Sequence, residues 1–185
     1  MRHFQLIHAG LDIAPILAEL DAAPELWNAN ADRTRRENSP HAASSDIWLR
    51  FFPRDTLHAD ADFNADGRCV FYPAWHRLPS LQRIVWALMS TLQATELGGC
   101  LITRLAPGAS ILPHADRGWH AEFYNRKVYI PLRSNPWCIN TVSNEAVSFR
   151  AGEIWEFENT ITHSVSNGGN EERITVILCF RSEAA

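Results

Sequence analysis

Apolar residues recur at helical spacing in two segments of the first half of the chain. Residues 11–20 read LDIAPILAEL, which predicts a short helix if Pro15 lies in its first turn. Residues 79–97 carry a longer apolar stripe and predict the principal helix of the protein. We expect Ser80 to cap this helix and Gly98-Gly99 to end it.

Polar and apolar stretches alternate between these two helices. The polar segments 28–46 and 56–67 predict loops, and the first of them is long enough to be functional. The run DIWLRFF at 46–52 predicts a strand between them. Four tryptophans lie in apolar runs and are expected in the core: Trp48, Trp86, Trp137 and Trp155.

From Cys100 onward the pattern changes to short β-forming runs separated by Pro, Gly and Asn turns. These runs are CLITRLAP, ASILPH, KVYIPL, WCINTV, AVSFRAG, EIWEFEN, THSVSN and ERITVILCF. Many short strands at this spacing predict a mainly β fold, a double-stranded β-helix or jelly roll, with an N-terminal helical layer packed on it. We expect one domain over residues 1–185, with helical support in 1–99 and the jelly-roll core in 100–185.

Composition excludes several classes of protein. The 185 residues carry a net charge of −4, and a nucleic-acid binder would more often have a basic surplus. No apolar run approaches the roughly 18 residues that a membrane span needs, and the first residues lack a signal-peptide core. The four cysteines form no CxxC pair, which is typical of free thiols in a reducing compartment. We therefore expect a cytoplasmic protein that binds neither membranes nor nucleic acid.

Two histidines and an aspartate form the most informative motif. His114 and Asp116 are two residues apart, so on an extended strand both side chains point to the same side. His163 opens a later strand-like run and could supply a third ligand. Two imidazoles and one carboxylate on one face of an octahedron leave three positions open, which suits Fe(II) that binds a co-substrate and dioxygen together.

Arg173 follows the third predicted ligand by ten residues. The intervening sequence SNGGN predicts a hairpin turn, which would return Arg173 beside the strand of His163. A guanidinium in that place can hold a carboxylate through two parallel hydrogen bonds. A surface arginine is the alternative.

The second half of the chain, residues 101–181, resembles the aspartyl/asparaginyl β-hydroxylase family of 2-oxoglutarate-dependent dioxygenases, which is cupin-like. The matching stretches are TRLAPGASILPHAD, RKVYIPL, GEIWEFENTITHSVSN and ERITVIL. The resemblance implies that the two histidines and the aspartate bind iron and that Arg173 holds 2-oxoglutarate. It also implies co-substrate contacts from Thr103, Lys127 and Tyr129, the last two standing where the family has arginine and histidine. Asp116 favours hydroxylation, since halogenating relatives replace the carboxylate.

The resemblance implies an Fe(II) enzyme that consumes 2-oxoglutarate and O2 and hydroxylates a small amino-acid-like, peptide or tailoring substrate, giving succinate and CO2. Candidate substrate contacts are Arg33, Arg35, Arg36, His41, Arg50, Trp119 and His120. The alternatives are a cupin-like metal-binding protein, a zinc or manganese hydrolase with the same three ligands, and a jelly roll without turnover. The sequence indicates neither the substrate, the stereochemistry nor the oligomeric state.

Overall fold

The computed structural model describes residues 1–54 and 67–183. Its strands are β1 (Phe4–His8), β2 (Ser44–Phe51), β3 (Val70–Phe71), β4 (Ala94–Leu105), β5 (Ser110–His114), β6 (Arg126–Arg133), β7 (Cys138–Val142), β8 (Glu145–Ser148), β9 (Ile154–Phe157), β10 (His163–Asn167) and β11 (Arg173–Ser182). Its α-helices are α1 (Ala14–Asp21), α2 (Asp32–Arg35), α3 (Pro79–Thr91) and α4 (Trp119–Phe123), with 3₁₀ turns at Pro24–Leu26 and Pro73–Arg77.

Within the described residues these strands form two facing sheets. The larger sheet has the order β1-β9-β6-β11-β4-β2-β3, and the smaller one has the order β5-β10-β7-β8. The pairings along both sheets are antiparallel, as in a jelly roll. The predicted mainly β architecture with flanking helices is confirmed.

Side chains of β11 show how the larger sheet separates two environments. Successive residues of a strand point to opposite faces. Ile174, Val176, Leu178 and Phe180 point outward and join the core under α1 and α3. The alternate residues point between the sheets, where Arg173 contacts Asn140 of β7 and Ile177 packs among aromatic rings. The space between the sheets therefore receives the polar side chains.

Helix α3 is shorter than the sequence predicts. It ends at Thr91, and Gly98-Gly99 lies inside β4, so the predicted stop was wrong. Gln93 turns the chain with a φ of 50°, after which strand pairing with β11 replaces the helix. Gly98 is required there because a Cβ would lie 2.6 Å from the ring of Tyr124.

The start of α3 also differs from expectation. Leu78 is the N-cap residue, and Ser80 does not cap the helix. Instead, the backbone N–H of Ser80 donates to the carboxylate of Glu19 on α1 (3.1 Å), and its hydroxyl does the same (2.6 Å). A carboxylate from the neighbouring helix thus accepts a hydrogen bond from a backbone N–H in the first turn of α3, which has no partner within the helix. Helix α1 is confirmed, with its proline in the first turn.

Two of the four tryptophans are not in the core. Trp48 and Trp155 are buried as predicted, but 47% of Trp86 and 68% of Trp137 is exposed. Trp86 lies in the middle of α3 on its exposed side, against the ring of Trp75, and Trp137 lies in the turn before β7. The sequence pattern could not distinguish these positions because both follow or precede apolar residues.

The first half of the chain supplies strands as well as helices. The expected strand at 46–52 is β2, which begins at Ser44, and the preceding loop contains α2. Residues 56–66 of the second expected loop lie outside the described residues. Strand β4 runs through position 99 and pairs with β2, so the larger sheet joins the two halves. The four cysteines are free thiols. None of the described helices has the length and apolarity to span a bilayer.

Candidate metal centre

Three predicted metal ligands converge at one end of the smaller sheet. His114 ends β5, His163 begins β10, and the two are direct cross-strand partners. Asp116 follows two residues after His114, and its Oδ1 lies 3.7 Å from the Nε2 of that histidine. One potential ligand atom from each residue lies within 4.8 Å of the others. The three side chains are thus close enough to share one ion.

Backbone carbonyls fix the tautomer of both histidines. The Nδ1 of His114 donates to the carbonyl of Leu112 (2.8 Å), and the Nδ1 of His163 donates to that of Ile161 (3.0 Å). A carbonyl only accepts, so the proton is on Nδ1 and the lone pair is on Nε2. The Nε2 of His163 is buried and has no hydrogen-bond partner among the described residues. A divalent cation would fill that unsatisfied position, so the donor set fits a metal.

Asp116 is held as a carboxylate by its neighbours. Its Oδ2 accepts hydrogen bonds from the Nδ2 of Asn159 (2.9 Å) and from the Nζ of Lys127. Burial raises the pKa of this carboxyl, but the charge and hydrogen bond of Lys127 outweigh burial and place the pKa well below its ordinary value. The pKa of Lys127 is raised in turn by Asp116 against the effect of its own burial. Asp116 is therefore ionised at neutral pH.

Both histidines of the triad are neutral at neutral pH. Burial, followed by the positive charge of Lys127, lowers the pKa of His163 to about 4. Burial also lowers the pKa of His114 below its ordinary value. A neutral imidazole is the form that binds metals, so no proton has to leave these rings first.

Arg173 lies deep between the sheets and is only 2% exposed. One guanidinium nitrogen donates to the Oδ1 of Asn140 (3.1 Å), and the guanidinium carbon lies 5.9 Å from the centre of the Tyr129 ring. Burial lowers its pKa, and no carboxylate among the described residues forms an ion pair with it. The predicted hairpin was wrong, because β10 and β11 lie in opposite sheets.

Asn167 stabilises the segment that connects β10 in the smaller sheet to β11 in the larger sheet. Its Nδ2 donates to the carbonyls of Glu171 (2.8 Å) and Leu105 (3.2 Å), which join the end of β10 to the segment before β11 and to β4. This places Arg173 opposite the smaller sheet instead of beside His163 within it. A buried guanidinium facing an interior space with no carboxylate of its own can receive the carboxylate of a ligand.

A cavity of about 350 Å³ opens beside the metal ligands. Its wall includes the following predicted residues: Arg33, Arg36, His41, His114, Asp116, His120 and Lys127. Arg35, Arg50 and Trp119 do not line it: Arg50 bonds to the carbonyl of Leu97 (2.8 Å), and Trp119 stacks on Phe123. The long polar loop before β2 therefore forms part of the cavity, as its composition indicates.

The family model for aspartyl/asparaginyl beta-hydroxylase matches residues 12–183. The chain belongs to this family. It is an enzyme of the 2-oxoglutarate-dependent dioxygenase class. No curated protein matches the sequence.

Solved structures with low sequence identity share the fold of this hydroxylase-family member. A 2OG-Fe(II) oxygenase family oxidoreductase from Burkholderia pseudomallei superimposes with a TM-score of 0.63 at 15% identity, covering 97% of this chain and 84% of that one. A Trichoplax adhaerens prolyl hydroxylase in complex with a hypoxia inducible factor peptide fragment gives 0.58 at 12% identity, covering 98% and 84%. A Pseudomonas putida prolyl-4-hydroxylase gives 0.53 at 14% identity, covering 98% and 94%.

The residues that family resemblance assigns to the co-substrate lie in three different settings. Tyr129 is buried beside Arg173, and its ring faces the guanidinium of that arginine. Lys127 bonds to Asp116 and lines the cavity, so it is already engaged. Thr103 is fully buried, and its hydroxyl donates to the Oδ1 of Asp46 (3.1 Å). The co-substrate roles of these residues stay predictions.

Sequence reasoning did not single out Thr175 and Asn159. The Oγ1 of Thr175 is buried, lies on the same face of β11 as Arg173, and has no hydrogen-bond partner among the described residues. Its position two residues after Arg173 is the signal that could have identified it. Asn159 acts through contacts distant in sequence, bonding to Asp116 through both its carbonyl (3.0 Å) and its side chain. No local pattern predicts such a contact.

Proposed function

We propose that this protein is an Fe(II)- and 2-oxoglutarate-dependent hydroxylase of a small amino-acid-like, peptide or tailoring substrate, with succinate and CO2 as co-products. One observation carries the proposal. Two neutral imidazoles and a carboxylate lie within 4.8 Å of one another at one end of the smaller sheet, and Arg173, buried between the two sheets, has no carboxylate partner among the described residues. A metal hydrolase has no use for such an arginine.

His114, Asp116 and His163 would hold the iron. When bound, iron and 2-oxoglutarate supply the activation of dioxygen, one oxygen atom of which ends in succinate and the other in the product. The chain contributes ligand geometry: the carbonyls of Leu112 and Ile161 orient the two rings, so that both Nε2 lone pairs are available.

Arg173 would hold the distal carboxylate of 2-oxoglutarate between the sheets. The unsatisfied hydroxyl of Thr175 and the phenol of Tyr129 lie on the same interior face and can complete the polar lining. Phe157 packs edge-on against the ring of His163, with 5.3 Å between ring centres, and would keep water from that side of a bound metal. Lys127 would keep Asp116 ionised and aligned.

The cavity before the metal would receive the primary substrate. Its walls come from the loop before β2, from α4 and from β11, so residues far apart in sequence form one site, which supports a single domain over residues 1–185. The Trichoplax adhaerens prolyl hydroxylase, which shares this fold, is in complex with a peptide fragment, and this supports peptides as one candidate substrate class.

Two measurements test the proposal. Under anaerobic conditions, addition of Fe(II) and 2-oxoglutarate should give a weak visible charge-transfer band that neither component gives alone. In air, a screen of amino acids, peptides and small carboxylates should reveal succinate formation coupled to a product heavier by one oxygen atom. The matched variants are Arg173→Gln, which should lose both signals, and the control Arg104→Gln, which should keep both. Arg104 lies on β4, and its guanidinium packs over Trp27. Metal binding without the band or succinate would overturn the proposal.

A further inference from the structure

A chain of buried polar groups connects the larger sheet to the cavity. Asp46 on β2 is fully buried and accepts a hydrogen bond from Arg33 of α2 at 2.5 Å. The hydroxyls of Ser44 and Thr103 also donate hydrogen bonds to this carboxylate, at 3.5 and 3.1 Å. The other terminal nitrogen of Arg33 lies 2.9 Å from the Nδ1 of His41. The chain of contacts therefore runs from Asp46 through Arg33 to His41.

The contact with Arg33 decides the tautomer of His41. A guanidinium can only donate, so Nδ1 of His41 must accept and the ring proton must be on Nε2. No described residue accepts a hydrogen bond from that Nε2–H. His41 lines the cavity, and its ring packs edge-on against His114, with 4.7 Å between ring centres. A donor of fixed direction thus borders the cavity next to a metal ligand.

The charges around the cavity point to the kind of group that this donor meets. Among its described lining residues, Arg33, Arg36, Arg117 and Lys127 are cations and Asp116 is a carboxylate, and Arg33 is paired with the buried carboxylate of Asp46, so four cations face two carboxylates. The metal and Lys127 would bind the carboxylate of Asp116, so that carboxylate would not face the substrate. A site with surplus donors and positive charge favours a ligand with anionic oxygens.

We propose that His41, positioned by Arg33 and Asp46, hydrogen-bonds a carboxylate oxygen of the primary substrate and holds that substrate beside the metal. Arg173 lies between the sheets and is not among the described residues that line the cavity, so the subsite at His41 is distinct from the one at Arg173. The inference rests on the proposed function, and it restricts the substrate class to carboxylates.

Nitrogen NMR of protein with isotope-labelled histidine, loaded with Zn(II) and 2-oxoglutarate, tests the subsite directly. His41 should show a bare Nδ1 and a protonated Nε2. Acetate should shift the Nε2 signal in a saturable way, and acetamide, its neutral isostere, should not. A proton on Nδ1, no saturable shift, or equal effects of the two compounds would overturn the inference.

Matched variants separate this subsite from the rest of the protein. His41→Phe keeps a ring against His114 but removes the donor, and acetate affinity, followed by backbone amide shifts around the cavity, should fall by about tenfold or more. Arg33→Gln should act similarly, whereas Arg35→Gln, in the same short helix but exposed, should not change it. Unchanged affinity in His41→Phe would overturn the inference. Failure of wild-type protein to bind 2-oxoglutarate would instead contradict the proposed function.

Discussion

The arginine between the sheets should weaken the empty protein while it strengthens ligand binding. Arg173 is 2% exposed, and its described partners are the neutral amide of Asn140 and the ring of Tyr129. A buried cation without a counter-charge costs several kcal/mol, and even the replacement of buried ion pairs by packed apolar residues is often neutral or stabilises by about 1–4 kcal/mol. Arg173→Met should therefore raise the free energy of unfolding of the ligand-free protein by about 1–3 kcal/mol.

The same substitution should remove most of the affinity for 2-oxoglutarate. A charge-assisted pair contributes about 2–3 kcal/mol, which corresponds to roughly a hundredfold change in affinity. Succinate formation measured against 2-oxoglutarate concentration gives this factor, and urea unfolding without ligand gives the stability. Ligand at one hundred times its Kd should stabilise wild-type protein by about 2.7 kcal/mol and the variant far less.

Arg104→Met is the control, because Arg104 packs on Trp27 away from the site. It should leave the affinity for 2-oxoglutarate unchanged. If Arg173→Met bound 2-oxoglutarate as wild type does, the assignment of the guanidinium to the co-substrate would be refuted. Loss of stability comparable to a core deletion would show that Arg173 serves the fold instead.

Three further outcomes follow from the structure. His163→Ala should abolish binding of Fe(II) or Co(II) in a metal titration, with little change in circular dichroism. In metal-free protein, burial lowers the pKa of both His163 and His120 to about 4, whereas the unfolded chain takes up protons near 6.5. The free energy of unfolding should therefore fall as pH is lowered from about 6.5 to 4, by about 1 kcal/mol per pH unit for each histidine, and His120→Gln should reduce the slope. Glu19→Ala should cost about 1 kcal/mol by removing the acceptor at the start of α3, measured by urea unfolding.

Each of these outcomes has a result that contradicts it. Wild-type metal affinity in His163→Ala would exclude that residue as a ligand. A free energy of unfolding independent of pH between 4 and 6.5 would mean that the buried rings take up protons in the folded state. Unchanged stability in Glu19→Ala would show that solvent satisfies the first turn of α3 equally well.

The strands of the second half were predictable because their periodicity is local. Runs such as KVYIPL and ERITVILCF alternate or are continuously apolar between turn residues, and they are β6 and β11 in the structure. The boundary of α3 was not predictable in this way. Leu88 and Leu92 keep helical spacing past the last residue of the helix, Thr91, and only pairing of β4 with β11 and the tight contact of Gly98 with Tyr124 decide for a strand.

The site was predictable as far as its residues are linked by short spacings. His114 and Asp116 are two apart, and Arg173 follows His163 by ten, so the linear pattern contains them. The path of Arg173 to the site was not predictable, because turn composition does not indicate which sheet the next strand joins. The connection from Asp46 to His41 also depends on a helix and a strand that meet only in the folded chain.

The direct pairing of His114 with His163 makes the centre sensitive to chain length in a specific way. A shift of one residue between β5 and β10 would turn one imidazole to the opposite side of the smaller sheet. Insertions or deletions of a single residue within either strand should therefore eliminate metal uptake even where the sheet still forms. An ion that binds only to the correctly aligned strands would also select that alignment during folding, so iron supply and correct assembly of this edge would be coupled.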